Sequence, residues 1–174
     1  MPQSHTPAIV ARNSAIHGSG VYALDRIPAH EPIIQYTGEI ITLAEAEKRE
    51  TARQHRAARG EESCDYLYIV DQDTAIDGRH SGNIARLINH ACEANCHSDI
   101  IDGEVWIVAS RTIKPNDEIT FDYGYTFRDG IHHPCRCGSP KCVGFIVAKH
   151  QRWRLLRWRE KQAELLESAS AASS

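Results

Sequence analysis

Across residues 8–121, apolar side chains fall in short clusters divided by glycine, proline and small polar residues, which is the spacing of strands and turns. Ile9-Val10 and Val21-Tyr22-Ala23-Leu24 flank a His17-Gly18-Ser19-Gly20 bend and predict a hairpin with a glycine-lined turn. Residues 27–41 predict a second strand pair, in which Pro28 and Pro32 confine the connection to a turn or an edge. The aromatic and β-branched run 66–70 is a further strand, and alternation puts Tyr66 and Tyr68 on one of its faces. Val105 to Ala109 and Ile119 to Phe121 continue the pattern on either side of a Lys114-Pro115-Asn116-Asp117 turn.

Two stretches depart from this rhythm. Thr42 is positioned to cap a helix over residues 43–60, which holds good helix formers and ends in a glycine. Its Glu, Lys and Arg content predicts a solvated insertion anchored by Leu43 and Ala46. After residue 147 a second helix is predicted over residues 148–166, with Trp153, Leu156, Trp158, Leu165 and Leu166 as apolar points among arginines and lysines. This is the basic, aromatic-interleaved piece of the chain. It is expected to pack on the domain or on a second subunit, with nucleic acid as the other available contact, and a disordered small-residue tail is expected from Ser168.

Chemistry concentrates where apolar residues carry polar ones inward. Arg86-Leu87-Ile88-Asn89-His90-Ala91-Cys92 brings an amide, an imidazole and a thiol into a run entered by Leu87 and Ile88, and buried polar groups need partners. Glu118-Ile119-Thr120-Phe121-Asp122-Tyr123-Gly124-Tyr125 is an apolar strand that ends in paired tyrosines. Cys135-Arg136-Cys137, followed by Cys142, has the short spacing of a metal cluster rather than of a disulfide framework. Cys64 and Cys96 read as buried or half-buried free thiols, with Cys96 the competitor for a fourth ligand position.

A length of 174 residues at 41% hydrophobic composition suits one domain with a substantial core, and a formal net charge of −3 excludes a global attraction to polyanions. The first residues hold neither a basic nor an apolar leader region, and no run is long enough to span a bilayer. A soluble intracellular protein is therefore expected, cytoplasmic if bacterial.

The His17-Gly18-Ser19-Gly20 bend, Asp65-Tyr66-Leu67-Tyr68, Gly82-Asn83, the Arg86 to Cys92 run, the Glu118 to Tyr123 strand and the cysteine loop occur in the order seen in SET-domain protein lysine methyltransferases. The resemblance covers residues 8–145 and is nearest to the trithorax-like kind with a zinc-binding post-SET loop. It implies a β-rich α+β fold of several small sheets with a C-terminal pseudoknot. The boundaries it implies are an N-terminal tail over 1–7, a SET domain over 8–128 with the helical insertion at about 42–60, a zinc loop over 129–147, and a C-terminal helix and tail over 148–174.

The same resemblance implies roles. S-adenosyl-L-methionine would be held by His17, Gly18, Ser19, Gly20, Tyr66, Asn89 and His90, and a lysine channel would be lined by Tyr68, Phe121, Tyr123 and Phe145, with Tyr123 as the catalytic residue. Cys92, Cys135, Cys137 and Cys142 would bind a structural zinc ion, Cys92 being chosen over Cys96 because the family's ligand follows Asn-His by two positions. The partner is a protein bearing a target lysine, by analogy a histone tail or another cellular protein. A Phe at position 121 implies room for di- or trimethylation. Ala91 and Ala94 depart from the commoner Ser and Pro, and with no cysteine-rich region ahead of the domain the chain resembles a minimal or bacterial version. The rival reading is a catalytically inactive, zinc-stabilised module that binds a protein or a nucleic acid through the basic helix.

Overall fold

The computed structural model describes residues 7–61 and 66–172; the expectation for Cys64, most of the N-terminal tail and the last two residues lie outside them. In chain order the elements are β1 (Ile9–Asn13), β2 (Ser19–Ala23), β3 (Pro32–Gln35), β4 (Glu39–Thr42), α1 (Leu43–Ala58), β5 (Leu67–Ile69), β6 (Thr74–Asp77), β7 (Asn89–His90), β8 (Cys96–Ile101), β9 (Glu104–Ala109), β10 (Glu118–Phe121), α2 (Phe127–Gly130) and α3 (Arg152–Ala172). Short 3-10 turns at Ile84–Leu87 and Lys149–Gln151 precede β7 and α3. None of the described helices is long and apolar enough to cross a membrane.

The strands make two sheets. The larger runs β1-β2-β10-β8-β9-β3, with β7 paired to β10, and the smaller runs β4-β6-β5. β10 sits in the middle of the larger sheet: Ile119 pairs antiparallel with Val21, while Thr120 and Phe121 pair parallel with Asn89 and His90 and Phe121 also meets Cys96. Strands of the larger sheet and the segments between them deliver apolar side chains to one core of Val21, Ile27, Ile33, Ile88, Ile107, Ile113 and Ile119, all essentially without solvent contact, while Ile41, Ala46 and Ala75 form a second cluster. Burying a side chain of that size contributes roughly 1.5–3 kcal/mol, so these positions hold the sheet around which the polar residues are arranged.

The expected hairpin is β1-β2, closed by the Ser14 N–H donating to the Gly18 carbonyl at 2.8 Å, with Gly18 in the left-handed region at φ 45°. Tyr66 and Tyr68 take different neighbours. Tyr66 lies just ahead of β5, its carbonyl accepting the Gly78 N–H at 3.0 Å, and Arg79 and Arg86 reach over its ring, whereas Tyr68 packs on Tyr36 at 5.4 Å between centroids.

α1 has the predicted cap, with the Glu45 N–H donating to the Thr42 hydroxyl, and it is tied to the small sheet by more than its two apolar anchors. Arg49 bonds Glu39 of β4, Asp77 of β6 and Glu45 of its own helix, Ala46 is buried against Ile41 and Ala75, and Arg53 is buried as well. Leu43 and Ala46 are the expected apolar anchors, and Arg49 adds a charged tie from the helix to the small sheet.

α3 also differs from the sequence reading. Its anchor is Leu155, fully buried, while Trp153, Leu156, Leu165 and Leu166 are more than half exposed. The reason lies at its start, where Arg152 donates to the carbonyls of Val147 and Cys92 and so fixes which side of the helix meets the domain. The helix runs on to Ala172 instead of giving way to a tail at Ser168. Alanine is the strongest helix former, and the Ser168 hydroxyl donates to the Leu165 carbonyl.

Candidate active site and metal centre

Where β7 and β10 lie side by side, the chain leaves a cavity of about 590 Å³. One wall is the β1-β2 turn, Ile16 to Ser19; another is Tyr66 with Arg86; the floor is Leu87, Asn89 and His90; Tyr123, Tyr125 and the segment His133 to Arg136 close the far side. Arg53 reaches the cavity from α1. There Arg53 is paired with Glu50 of its own helix, and His90 lies 3.7 Å from the Asp122 carboxylate.

Asn89 is buried because β7 is short and pairs directly with β10, and its amide nitrogen donates to the carbonyls of His17 (3.2 Å) and Ser19 (3.0 Å). The turn and the floor are thus one rigid piece. His90 next to it is 3% exposed, and its Nδ1 accepts the Tyr123 N–H at 3.2 Å, which leaves the ring proton on Nε2. Burial pushes its pKa down to about 4 against the opposing pull of the Asp122 carboxylate, with Arg152 adding to the depression, so the imidazole is neutral and acts as a fixed acceptor.

That bond also sets Tyr123. Its ring sits 5.1 Å from Phe121, 5.5 Å from His90 and 5.9 Å from Tyr125, and its hydroxyl donates to the Ile88 carbonyl at 3.0 Å. Tyr125 in turn meets His133 edge-on at 5.0 Å. A phenol held this way, among ring faces that attract a cation, suits an amine that must be oriented and partly dehydrated.

Cys92, Cys135, Cys137 and Cys142 converge beside this wall, their sulfurs all within 4.8 Å of one another. The Cys92 sulfur lies 3.8 Å from that of Cys135 and 3.9 Å from that of Cys142. A tetrahedron of thiolates about 2.3 Å from a zinc ion has edges of about 3.8 Å, so the donors are spaced for such an ion. Backbone N–H groups of Cys92 and Gly144 point at the sulfurs of Cys137 and Cys142. Burial pushes the Cys92 thiol up to about 11 and Cys135 upward too, whereas at Cys137 burial is outweighed by the Cys92 and Ser139 amides and the neighbouring thiols, which bring it down to about 7. As thiolates, four sulfurs at such range could share one metal ion. Cys96 is not among them: it is buried in β8, its backbone facing Ala109 and Phe121, where burial raises its pKa to about 12.

Of the residues expected to hold a cofactor, His17, Gly18, Ser19, Tyr66, Asn89 and His90 line the cavity, and Gly20 lies behind it in β2. Of the expected channel residues only Tyr123 lines it. Phe121 is buried behind Tyr123, Tyr68 is against Tyr36, and Phe145 lies edge-on to Trp158 at 6.4 Å with Arg159 over its face. Sequence reasoning missed Tyr125, although it is the second member of the noted tyrosine pair, and it missed Arg53 and His133, whose roles depend on how α1 and the cysteine loop fold over the site.

A family model described as the SET domain matches residues 18–124. Similar curated proteins include the H3 lysine-4 specific histone-lysine N-methyltransferase of Kluyveromyces lactis, 44% identical over 146 residues, which are 80% of this chain and 14% of that protein. The protein of the same description from Saccharomyces cerevisiae is 42% identical over 146 residues, 80% of this chain and 13% of the relative. Histone-lysine N-methyltransferase trithorax of Drosophila virilis is 38% identical over 137 residues, 76% of this chain and 3% of its own length. The chain thus spans only a small part of the proteins it resembles.

Proposed function

The chain belongs to the SET-domain family, and from that premise we propose that it transfers methyl groups from S-adenosyl-L-methionine to the side-chain amine of a lysine in a protein substrate. The single observation that carries this reading is the meeting of His17 to Ser19, Tyr66, Asn89, His90 and Tyr123 around one cavity. When bound, the sulfonium donor supplies a methyl group on a neutral leaving thioether, so no acid is needed to expel it.

What this chain's residues have to do is align and dehydrate. The β1-β2 turn, Tyr66, Asn89 and the backbone of His90 would hold the donor. Tyr123 would orient the incoming amine, with the neutral His90 fixing the backbone that carries it. The amine must be uncharged. At a reference pKa near 10.4 that costs about 4–5 kcal/mol at neutral pH, and a lining of tyrosine rings reduces the cost by desolvating the ammonium. Positioning at near-attack distance can contribute several kcal/mol more. Phe121, without a hydroxyl, is assigned to product control and favours di- or trimethylation. The thiolate cluster is assigned to structural zinc through Cys92, Cys135, Cys137 and Cys142, a closed donor set with no open position.

The relatives' names concern histone H3 lysine 4, so the substrate proposed is the histone H3 tail. Those relatives are eukaryotic and lend no support to a bacterial setting. Free thiols gathered on a metal suit a reducing, intracellular compartment. Any nucleic-acid contact is assigned to the exposed Arg154 and Arg157 at the start of α3, both of which reach over the Trp153 ring. The test is incubation with labelled S-adenosyl-L-methionine and an H3 peptide, followed by mass spectrometry, with calorimetry of the cofactor alone alongside. Transfer to the peptide is expected. Failure to bind the cofactor would return the chain to the inactive binding-module reading.

A further inference from the structure

We propose that Glu118 is a positioning residue of this site, setting the orientation of the Asn89 carboxamide so that its oxygen faces the cavity. The inference rests on the donor-binding reading above and adds a residue with no contact to the cavity. Glu118 opens β10 beside Tyr22 of β2 and is half-buried. Its carboxylate accepts from the Ser14 hydroxyl at 2.8 and 2.9 Å, from the Tyr22 hydroxyl at 3.0 Å and from the Asn89 amide nitrogen at 2.9 Å.

The amide nitrogen of Asn89 is therefore surrounded by three acceptors, the carbonyls of His17 and Ser19 and the Glu118 carboxylate. An amide turned the other way would aim its oxygen at all three. Of these, the carboxylate carries the full charge and so makes the flipped state most costly. Among the described residues no hydrogen bond reaches the amide oxygen. It is the atom left for a ligand, and an acceptor there selects a ligand that donates, such as an ammonium group.

Gly20 records the same arrangement. Its φ is not in the left-handed region, so its backbone does not demand glycine, but a Cβ there would stand 2.2 Å from the Glu118 Oε1 and 2.8 Å from its Cδ. At the second glycine of the His-Gly-Ser-Gly bend, the carboxylate, with the Ser14 Cβ at 3.0 Å beside it, occupies the space a side chain would need.

The test pairs a double-mutant cycle with cofactor affinity. Melting temperatures are compared for the unmodified chain, Gly20→Ala, Glu118→Ala and the double variant, and each is titrated with S-adenosylhomocysteine. Gly20→Ala is expected to destabilise strongly in the native background and far less beside Glu118→Ala. Glu118→Ala is expected to weaken the ligand at least tenfold and to raise the KM for S-adenosyl-L-methionine by a similar factor, with kcat at saturation within about threefold. Glu118→Gln, which offers Asn89 a single acceptor oxygen and can present its own amide to the two hydroxyls, serves if the alanine variant does not fold, and recovers most of the affinity. Equal penalties for Gly20→Ala in both backgrounds, native affinity in a folded Glu118→Ala, or a loss of tenfold or more in Glu118→Gln, overturn the proposal. Absence of binding by the unmodified chain overturns the donor reading instead, and the melting cycle then decides this one.

Discussion

Removing one oxygen from Tyr123 separates catalysis from architecture. In Tyr123→Phe the ring keeps its neighbours, Phe121, His90 and Tyr125, all within 6 Å, and the backbone bond to His90 is untouched. What is lost is the hydroxyl's bond to the Ile88 carbonyl at 3.0 Å, a contribution of about 1 kcal/mol to stability. In a domain of this size that lowers the melting temperature by about 2–4 °C. If the hydroxyl also orients the amine in the transition state, the rate falls by about 100- to 1,000-fold, the range seen when one positioned hydrogen-bonding group is removed from an active site. The assay is single-turnover methyl transfer to a lysine peptide read by mass spectrometry, with calorimetry of S-adenosylhomocysteine on the same preparation. Native cofactor affinity with a rate loss of two to three decades is expected. A rate loss under about tenfold, or a matching loss of affinity, would refute the argument, since the ordinary cost of one hydrogen bond would then account for everything.

Phe121→Tyr puts a hydroxyl beside Tyr123 in a site only 5% exposed, and the product spectrum is expected to shift toward monomethyl-lysine; an unchanged distribution by mass spectrometry counts against the role given to Phe121. Elemental analysis should find one zinc per chain, with a chelator or Cys92→Ser removing it and lowering the melting temperature, while Cys96→Ser leaves the metal content intact. At Asp77 burial raises the carboxyl's pKa, but the bonds from Arg49 and the Arg79 amide more than offset this and hold it below the ordinary carboxylate range. The stability it adds is therefore complete above the unfolded pKa near 3.9 and is lost as pH falls through the lower folded value. Melts from pH 5 downward should show a smaller acid-induced drop in Asp77→Asn than in the native chain. Leu155→Ala should cost about 2–5 kcal/mol of helix docking and open the amides of α3 to hydrogen exchange, whereas Leu156→Ala, at an exposed position, should change little.

Short-range features were legible in the sequence. The β1-β2 hairpin follows from two apolar pairs around Gly18, and the Thr42 cap from one hydroxyl ahead of a helix former. The Asn89-His90-Cys92 run announced buried polar groups, and its sulfur does join the three of the late loop. Illegible were the side chains whose neighbours come from remote elements. Arg49 and Arg53 look like solvated charge until β4, β6 and the cavity are in place around them. Leu155 and Leu156 are indistinguishable by composition, and only the docking of Arg152 on the Cys92 carbonyl decides which one faces inward. Phe145 is likewise drawn to Trp158 by a helix that the family resemblance does not cover.

The central place of β10 has a consequence for how the protein is made. Its neighbours β2 and β8 have no direct hydrogen bonds to each other, so until residue 121 has left the ribosome the larger sheet is two halves with open inner edges. Pairing across about a hundred residues is slow, and unpaired edges invite association with other chains. Tyr123 follows two residues later, so the phenol reaches its site only after the last gap in the sheet has been filled. A nascent chain stalled before that point has the floor of the cavity in its sequence and nothing to hold it flat.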